Sequence, residues 1–250
     1  MRSVEATASY FFHISILATT AIFATLSVVH VVFALLAFVI ASAYVLVAKR
    51  ENVFLFLFFL VPFAYVFKLS VSSSSLFTYL QLIVVARFVL TQRKFNFSFV
   101  ASFFAFFAFL LAGSAFQITV LLKQAVMPLL IYFFFCMPPS LKSMTLHYTA
   151  AMTVTSFAAL FKEHIPNMEQ FLKYDPIYEF GNGDTLRFAG FYTDPNYYSF
   201  ALLLCLIGVL LLYTQKEISG VIAYPVLMIF SYFGAQTASK SFILDRKSVV

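Results

Sequence analysis

Residues 9–48 read SYFFHISILATTAIFATLSVVHVVFALLAFVIASAYVLVA, a stretch without a single Asp, Glu, Lys or Arg. One helix of this length would be about 60 Å long, twice the roughly 30 Å hydrocarbon core of a bilayer. The stretch therefore predicts two membrane-spanning helices, roughly 9–27 and 30–48, with a tight turn near 27–30. Lys49 and Arg50 directly follow the second of these helices and mark its end.

The composition of the whole chain extends this interpretation. Of the 250 residues, 62% are hydrophobic and 10% are charged, whereas soluble domains carry about 25% charged residues. Further spans are predicted at approximately 52–68, 75–91, 97–115, 119–137, 144–161, 196–214 and 220–237, and a tenth would begin near Ser241. We predict an all-α, polytopic integral membrane bundle of about nine to ten spans, forming a single domain over residues 1–244.

The distribution of basic residues predicts the orientation of the spans. With the N-terminus inside, alternate counting assigns most of them to cytoplasmic segments: Arg2, Lys49, Arg50, Arg93, Lys94, Lys142 and Lys216. The short outer links carry only Lys68, Lys123 and Lys240, so span count and charge bias agree. Arg87 falls in the last inward turn of the fourth span, where we expect it to snorkel to the inner surface.

Other classes of function are disfavoured by the same features. The net charge is +6, but the basic residues lie between apolar runs and form no patch, so we predict no binding to nucleic acid. Cys136 and Cys205 lie inside apolar runs, which predicts neither a disulfide nor a metal site.

One hydrophilic segment, residues 162–195, interrupts the apolar spans. It contains six of the ten acidic residues, and the alternation of spans assigns this long loop, which precedes span eight, to the outside. The loop ends in Arg187-Phe188-Ala189-Gly190-Phe191-Tyr192-Thr193-Asp194-Pro195-Asn196-Tyr197-Tyr198. Asp followed by Pro predicts a helix start at Asp194, because Asp caps free backbone N–H groups and Pro suits the first helical position. Gly190 is typical of a turn.

Arg187 precedes this helix start by seven residues. An exposed helix N-terminus attracts anions, and the planar guanidinium fork suits phosphate, so the two together predict a cradle for a diphosphate. Asp194 opposes this interpretation, because its carboxylate competes for the same N–H groups.

The pattern Arg-x-x-Gly-Phe-Tyr-x-Asp-Pro-Asn-Tyr-Tyr resembles a motif of the bacterial O-antigen ligase and polysaccharide polymerase superfamily. Members of that family carry a second block one helix hairpin later, and this chain has Thr237-Ala238-Ser239-Lys240-Ser241 there. The resemblance implies a glycosyltransferase on the outer face of the bacterial plasma membrane. Its partners would be a polyprenyl-diphosphate-linked oligosaccharide, the bilayer and other membrane proteins of polysaccharide assembly.

By the same resemblance, Arg187 is the catalytic candidate that contacts the carrier diphosphate. Gly190, Asn196, Ser239 and Lys240 are candidate substrate-binding residues. No cofactor or metal is expected, because a diphosphate is already a good leaving group and a positive site stabilises its developing charge. Polymerase and ligase activities both remain open, as do a flippase for a lipid-linked sugar and a non-catalytic membrane subunit.

The last six residues, 245–250, read DRKSVV. GATCGGAAGAGCGTCGTG encodes them, and it matches the start of a widely used sequencing adapter after its first A. We therefore expect this tail to be non-native and the protein to continue beyond Leu244. On that expectation the 250 residues are an N-terminal part, inactive by themselves.

Overall fold

The computed structural model describes residues 2–92, 96–113, 118–172, 188–192 and 194–237, and within these ranges the chain is all-helical. Ten α-helices lie in this described part: Arg2–Leu26 (α1), Val31–Val47 (α2), Arg50–Leu60 (α3), Leu76–Thr91 (α4), Phe97–Gly113 (α5), Ile118–Cys136 (α6), Leu141–Leu160 (α7), Met168–Leu172 (α8), Pro195–Thr214 (α9) and Gly220–Gln236 (α10). Short 3₁₀ helices occupy Val61–Phe63 and Lys162–His164.

The positions of these helices agree with the predicted spans, with three exceptions. The short α8 lies in the predicted outer loop and matches no span; apart from it, the start of α1 and the whole of the third span, every helix end lies within three residues of its predicted place. α1 begins at Arg2, seven residues before the predicted start at Ser9. The tenth span predicted near Ser241 and the tail 245–250 lie outside the described residues.

The third predicted span, 52–68, is wrong as a continuous helix. α3 ends at Leu60 after 11 residues, and the 3₁₀ turn Val61–Phe63 follows. Pro62 explains the change, because proline has no N–H to donate and its ring clashes with the carbonyl four residues earlier. The chain then turns at residues 64–66 instead of continuing to Lys68.

Side-chain size is distributed unusually in the hairpin of α1 and α2. Both helices bury small residues in the core of the bundle: Ala21, Ala24, Ala34, Ala37 and Ala41. Large apolar side chains on the same two helices are exposed: Ile22, Leu35, Leu36, Val39 and Val47. Small residues let helix backbones approach closely, and this arrangement is typical of helix contacts in membranes.

The turns between helices gather at two ends of the bundle. At the first, which we name the Val28 end, Ser27 donates to the carbonyl of Val66 at 2.6 Å and Asn167 donates to the carbonyl of Val28 at 3.2 Å. At the second, the Arg50 end, Arg50 donates to Gln92 at 2.9 Å. Contacts between the α6–α7 and α9–α10 turns also lie there, because the amine of Lys142 donates to the carbonyl of Glu217 at 2.9 Å.

One helix of the described residues, α9, is both long enough and apolar enough to cross a membrane, with 20 residues and a mean hydropathy of 2.0. Five apolar helical stretches of 10–17 residues accompany it: Tyr10–Leu26, Val31–Val47, Leu76–Thr91, Gln124–Cys136 and Gly220–Gln236. Membrane-spanning helices need about 17–25 apolar residues, so the four stretches of 16 or 17 residues are at or just below the lower limit, and Gln124–Cys136 is shorter.

Candidate functional site

The predicted helix start at Asp194 is confirmed. Asp194 has an extended backbone, and its carboxylate accepts the backbone N–H of Asn196 at 2.7 Å. Pro195 is the first residue of α9, where its missing N–H costs no helical hydrogen bond. The carboxylate therefore already occupies one of the N–H groups that an anion would otherwise bind.

The segment 188–192, just before this cap, is non-helical but buried within the bundle. Ala189 and Phe191 are fully buried, and the Phe191 ring meets Phe63 edge-on at 6.2 Å between centroids. Tyr192 packs against Tyr65 at 5.5 Å. The segment therefore enters the bundle at the point where α3 ends early, so the short third helix leaves the space that this loop fills.

Gly190 allows the loop to pack in this way. Its φ is +57°, in the left-handed region that glycine adopts without strain. A Cβ at this position would lie 2.8 and 2.9 Å from Cδ2 and Cζ of the Tyr198 ring, closer than real Cβ contacts. The predicted turn is confirmed, and the loop backbone lies directly against the tyrosine ring.

Tyrosine hydroxyls link this loop and α9 to α7. Tyr198 is fully buried and donates to Oγ of Ser156 at 2.6 Å, and Ser156 donates to the carbonyl of Met152 at 2.6 Å. The hydroxyl oxygens of Tyr192 and Tyr148 lie 3.3 Å apart. Burial raises the pKa of Tyr192, so its hydroxyl stays protonated and serves as a hydrogen-bond donor rather than as a base.

The same loop is tied to the end of α10. The backbone N–H of Phe188 donates to the carbonyl of Gln236 at 3.1 Å, and the Phe188 ring stacks on Phe233 at 5.5 Å between centroids. Thr237 follows directly and is buried, with its hydroxyl bonded to the carbonyl of Gly234 at 2.7 Å. The residue that follows Arg187 is therefore in direct contact with the helix end that precedes Ser239 and Lys240.

The five predicted site residues divide into two groups. Arg187, Ser239 and Lys240 lie outside the described residues: Arg187 directly precedes Phe188, and the other two follow Thr237 by two and three positions. Gly190 is buried under the Tyr198 ring, which accounts for the glycine through packing. Asn196 is exposed in the first turn of α9. Their predicted roles in substrate binding stay predictions.

Sequence reasoning missed the residues of α7 that hold this loop. Tyr148, Met152 and Ser156 recur every four positions, which puts them on one face of the helix. Tyr148 and Ser156, two polar residues on one face of an apolar span, were the available signal, and their partners in the loop and on α9 were not predictable from spacing. Among the described residues, no group of three or more His, Cys, Asp or Glu side chains is positioned to hold a metal ion.

A second buried polar network, nearer the Arg50 end, joins α1, α2 and α7. His147 Nδ1 lies 2.7 Å from the carbonyl of Ser143, which only accepts, so this nitrogen carries the proton in the neutral ring. His147 Nε2 must then accept from His13 Nε2–H at 3.1 Å, and the hydroxyl of Tyr44 donates to His13 Nδ1. When both histidine rings are neutral, these contacts therefore place one proton on Nδ1 of His147 and one on Nε2 of His13.

The chain as a whole was compared with family models, with curated proteins and with solved structures, and none of them matches it.

Proposed function

We propose that this chain is a polytopic integral membrane protein. The observation that carries this proposal is the outward position of large apolar side chains on α1, α2, α9 and α10, opposite a core that includes fully buried alanines. Soluble monomers rarely expose large apolar side chains side by side on several helices. In lipid the same surface needs no partner, and close packing of small residues supplies much of the helix association.

The charges at the two ends of the bundle support the proposed orientation. Among the described residues, the Arg50 end carries six basic residues (Arg2, Lys49, Arg50, Arg87, Lys142, Lys216) and three acidic ones (Glu5, Glu51, Glu217), a net charge of +3. The Val28 end carries three basic residues (Lys68, Lys123, Lys162) and three acidic ones (Glu163, Glu169, Asp194), a net charge of zero. Cytoplasmic ends are typically the more basic, so the Arg50 end is the inner one.

At the outer, Val28 end we propose a glycosyltransferase that takes its donor from a polyprenyl diphosphate carrier in the bacterial plasma membrane. The contact between Phe188 and Gln236 supports this proposal, because the first residue described after Arg187 meets the helix end that leads into Ser239 and Lys240. The cap at Asp194 leaves less of the helix N-terminus for an anion. Charge for the diphosphate must then come from side chains, for which Arg187 and Lys240 are the candidates.

The chemistry proposed for this site is a substitution at the anomeric carbon of the glycan. The bond from that carbon to the diphosphate oxygen breaks, and the diphosphate leaves with the electron pair while Arg187 stabilises the charge. The acceptor hydroxyl forms the new bond and gives its proton to a general base. Exposed carboxylates such as Glu163 and Glu169 lie on the described part of the outer loop and are candidates for this base.

Transport of a lipid-linked sugar is the second candidate function. One observation favours it: two segments outside the α-helices, the 3₁₀ turn that follows α3 and the loop 188–192, meet inside the bundle through Phe63 and Phe191. Transporters commonly bind substrate where helices are interrupted. Burial of Phe191 in the apolar core against Phe63 favours a structural role for this loop instead.

The two functions are separated by one reconstitution experiment on the complete protein. Proteoliposomes would receive a fluorescent oligosaccharide on a polyprenyl diphosphate, with unlabelled carrier-linked glycan as acceptor. A transferase produces longer or re-linked glycan on a gel, with release of polyprenyl diphosphate. A transporter leaves the glycan length unchanged and moves label out of reach of a membrane-impermeant quencher. If neither the glycan length nor the position of the label changes, a non-catalytic subunit is the remaining function.

A further inference from the structure

At the inner, Arg50 end, two arginines from different helices flank one aromatic ring. The guanidinium carbons of Arg50 and Arg87 lie 5.4 and 6.0 Å from the centroid of the Phe88 ring. Each approach is within the distance at which a cation is attracted to an aromatic face. The two like charges also repel each other, so this arrangement is held against electrostatic cost.

Arg87 is held by the end of α2. Its two terminal nitrogens donate to the carbonyls of Val45 and Ala48, and the second bond measures 2.6 Å. The first carbonyl lies in the last turn of α2 and the second belongs to its C-cap residue, where the helix leaves its acceptors unsatisfied and the dipole is negative. Arg87 therefore caps a neighbouring helix, which is a more specific role than the snorkelling predicted from the sequence.

Arg50 is held by the end of α4. Its terminal nitrogens donate to Oε1 of Gln92 and Oγ1 of Thr91, both at 2.9 Å. All the acceptors that the described residues offer to the arginine pair are therefore neutral. A guanidinium has five N–H groups, so each arginine keeps N–H groups beyond those in these bonds.

Apolar side chains beside the pair are among the most exposed in the structure. Val47, in the turn of α2 that Arg87 caps, is 75% exposed, and Leu90, one turn after Arg87 on α4, is 85% exposed. Fixed positive charge thus borders exposed apolar surface at one end of the bundle. An anionic phospholipid has the complementary order, with a phosphate above acyl chains.

We propose that the Arg50/Arg87 pair binds the headgroup phosphate of an anionic phospholipid in the inner leaflet, with its acyl chains along Val47 and Leu90. The pair supplies the planar, multi-donor geometry that recognises phosphate. The bound phosphate offsets the repulsion between the two guanidinium groups. This inference rests on insertion in the membrane and does not depend on glycan transfer.

Native mass spectrometry of the purified protein with defined lipids tests the proposal. Phosphatidylglycerol should bind at least roughly tenfold more tightly than phosphatidylcholine, because both lipids carry a phosphate but the choline cation neutralises the second headgroup and is repelled by the two guanidinium groups. Arg50→Gln should remove most of that preference while keeping a hydrogen-bonding side chain. Lys142→Gln, which removes one charge at the same end of the bundle, should leave the preference unchanged.

Equal binding of the two lipids by the unmodified protein would overturn the proposal without any variant. A preference that survives Arg50→Gln, or that falls equally in Lys142→Gln, would show general attraction of the inner end and also overturn it. A final arm adds inorganic phosphate at millimolar concentration. Displacement of phosphatidylglycerol by phosphate would assign the arginines to a free anion instead of a lipid.

Discussion

The substitution Gly190→Ala tests how the candidate site is built. Gly190 has a φ of +57° and lies against the fully buried ring of Tyr198, whose hydroxyl bonds to Ser156. A methyl group there must adopt a left-handed backbone conformation and must also displace the tyrosine ring. We expect the variant to be inserted in the membrane but less stable.

The magnitude follows from two separate costs. A non-glycine residue in the left-handed region costs about 1–2 kcal/mol. Inserting a methyl group into packed surroundings costs about 1–3 kcal/mol more, and a shift of the ring also strains the bond from Tyr198 to Ser156. The expected loss in the free energy of unfolding is therefore about 2–5 kcal/mol. Tyr198→Leu has its own cost from the lost ring and hydroxyl, but adding Gly190→Ala to that variant should cost only the backbone part, about 1–2 kcal/mol.

Gly220→Ala is the matched control for this substitution. Its Cβ would lie 2.8 Å from the ring of Tyr224, but that ring is exposed and Gly220 begins α10 with a helical backbone. This variant should stay within about 0.5 kcal/mol of the unmodified protein. Unfolding in mixed micelles, followed by circular dichroism, measures both. Equal stability of Gly190→Ala and Gly220→Ala would refute the described packing of the loop.

Three further predictions concern topology, lipid exposure and the second polar network. Reporter fusions at Asp175 and Lys216 should give opposite readouts, outside and inside, and matching readouts would reveal a miscounted span. Leu36→Lys on the exposed face of α2 should impair membrane insertion by about 2–3 kcal/mol, measured in a glycosylation-based insertion assay; an unchanged inserted fraction would contradict lipid exposure. His147→Ala should cost about 1–3 kcal/mol of unfolding free energy because it leaves the N–H of buried His13 unpaired; an unchanged unfolding transition would remove this network from the account.

The sequence predicted the features that local chemistry determines. Long apolar runs located the helices, and the Asp194-Pro195 pair located the start of α9, because capping depends on adjacent residues. The early end of α3 was predictable as well, since Pro62 stands within the run from 52 to 68. The prediction of one continuous span followed the apolar residues on both sides of this proline and disregarded its effect on the helix.

Features that depend on distant residues were not predictable. The loop residues 188–192 read as part of a hydrophilic outer segment, but Phe191 is buried on Phe63, 128 positions earlier in the chain. The pairing of His13 with His147 spans 134 positions. One sequence contains no signal for such pairs, because either partner alone is compatible with an ordinary apolar helix.

In the proposed function, Arg187 stabilises the diphosphate leaving group of a glycan donor at the outer end of the bundle. The most direct measurement is the glycan product of the complete protein on a gel, normalised to protein in the membrane fraction. Arg187→Ala should reduce product roughly 100- to 1,000-fold, the cost of losing one electrostatic contact to a transition state. Arg187→Lys should recover only part of it, because an ammonium lacks the planar fork. Lys162→Ala, a change of charge in the same loop, should leave product near normal. Near-normal product from Arg187→Ala at equal protein level would contradict the claim.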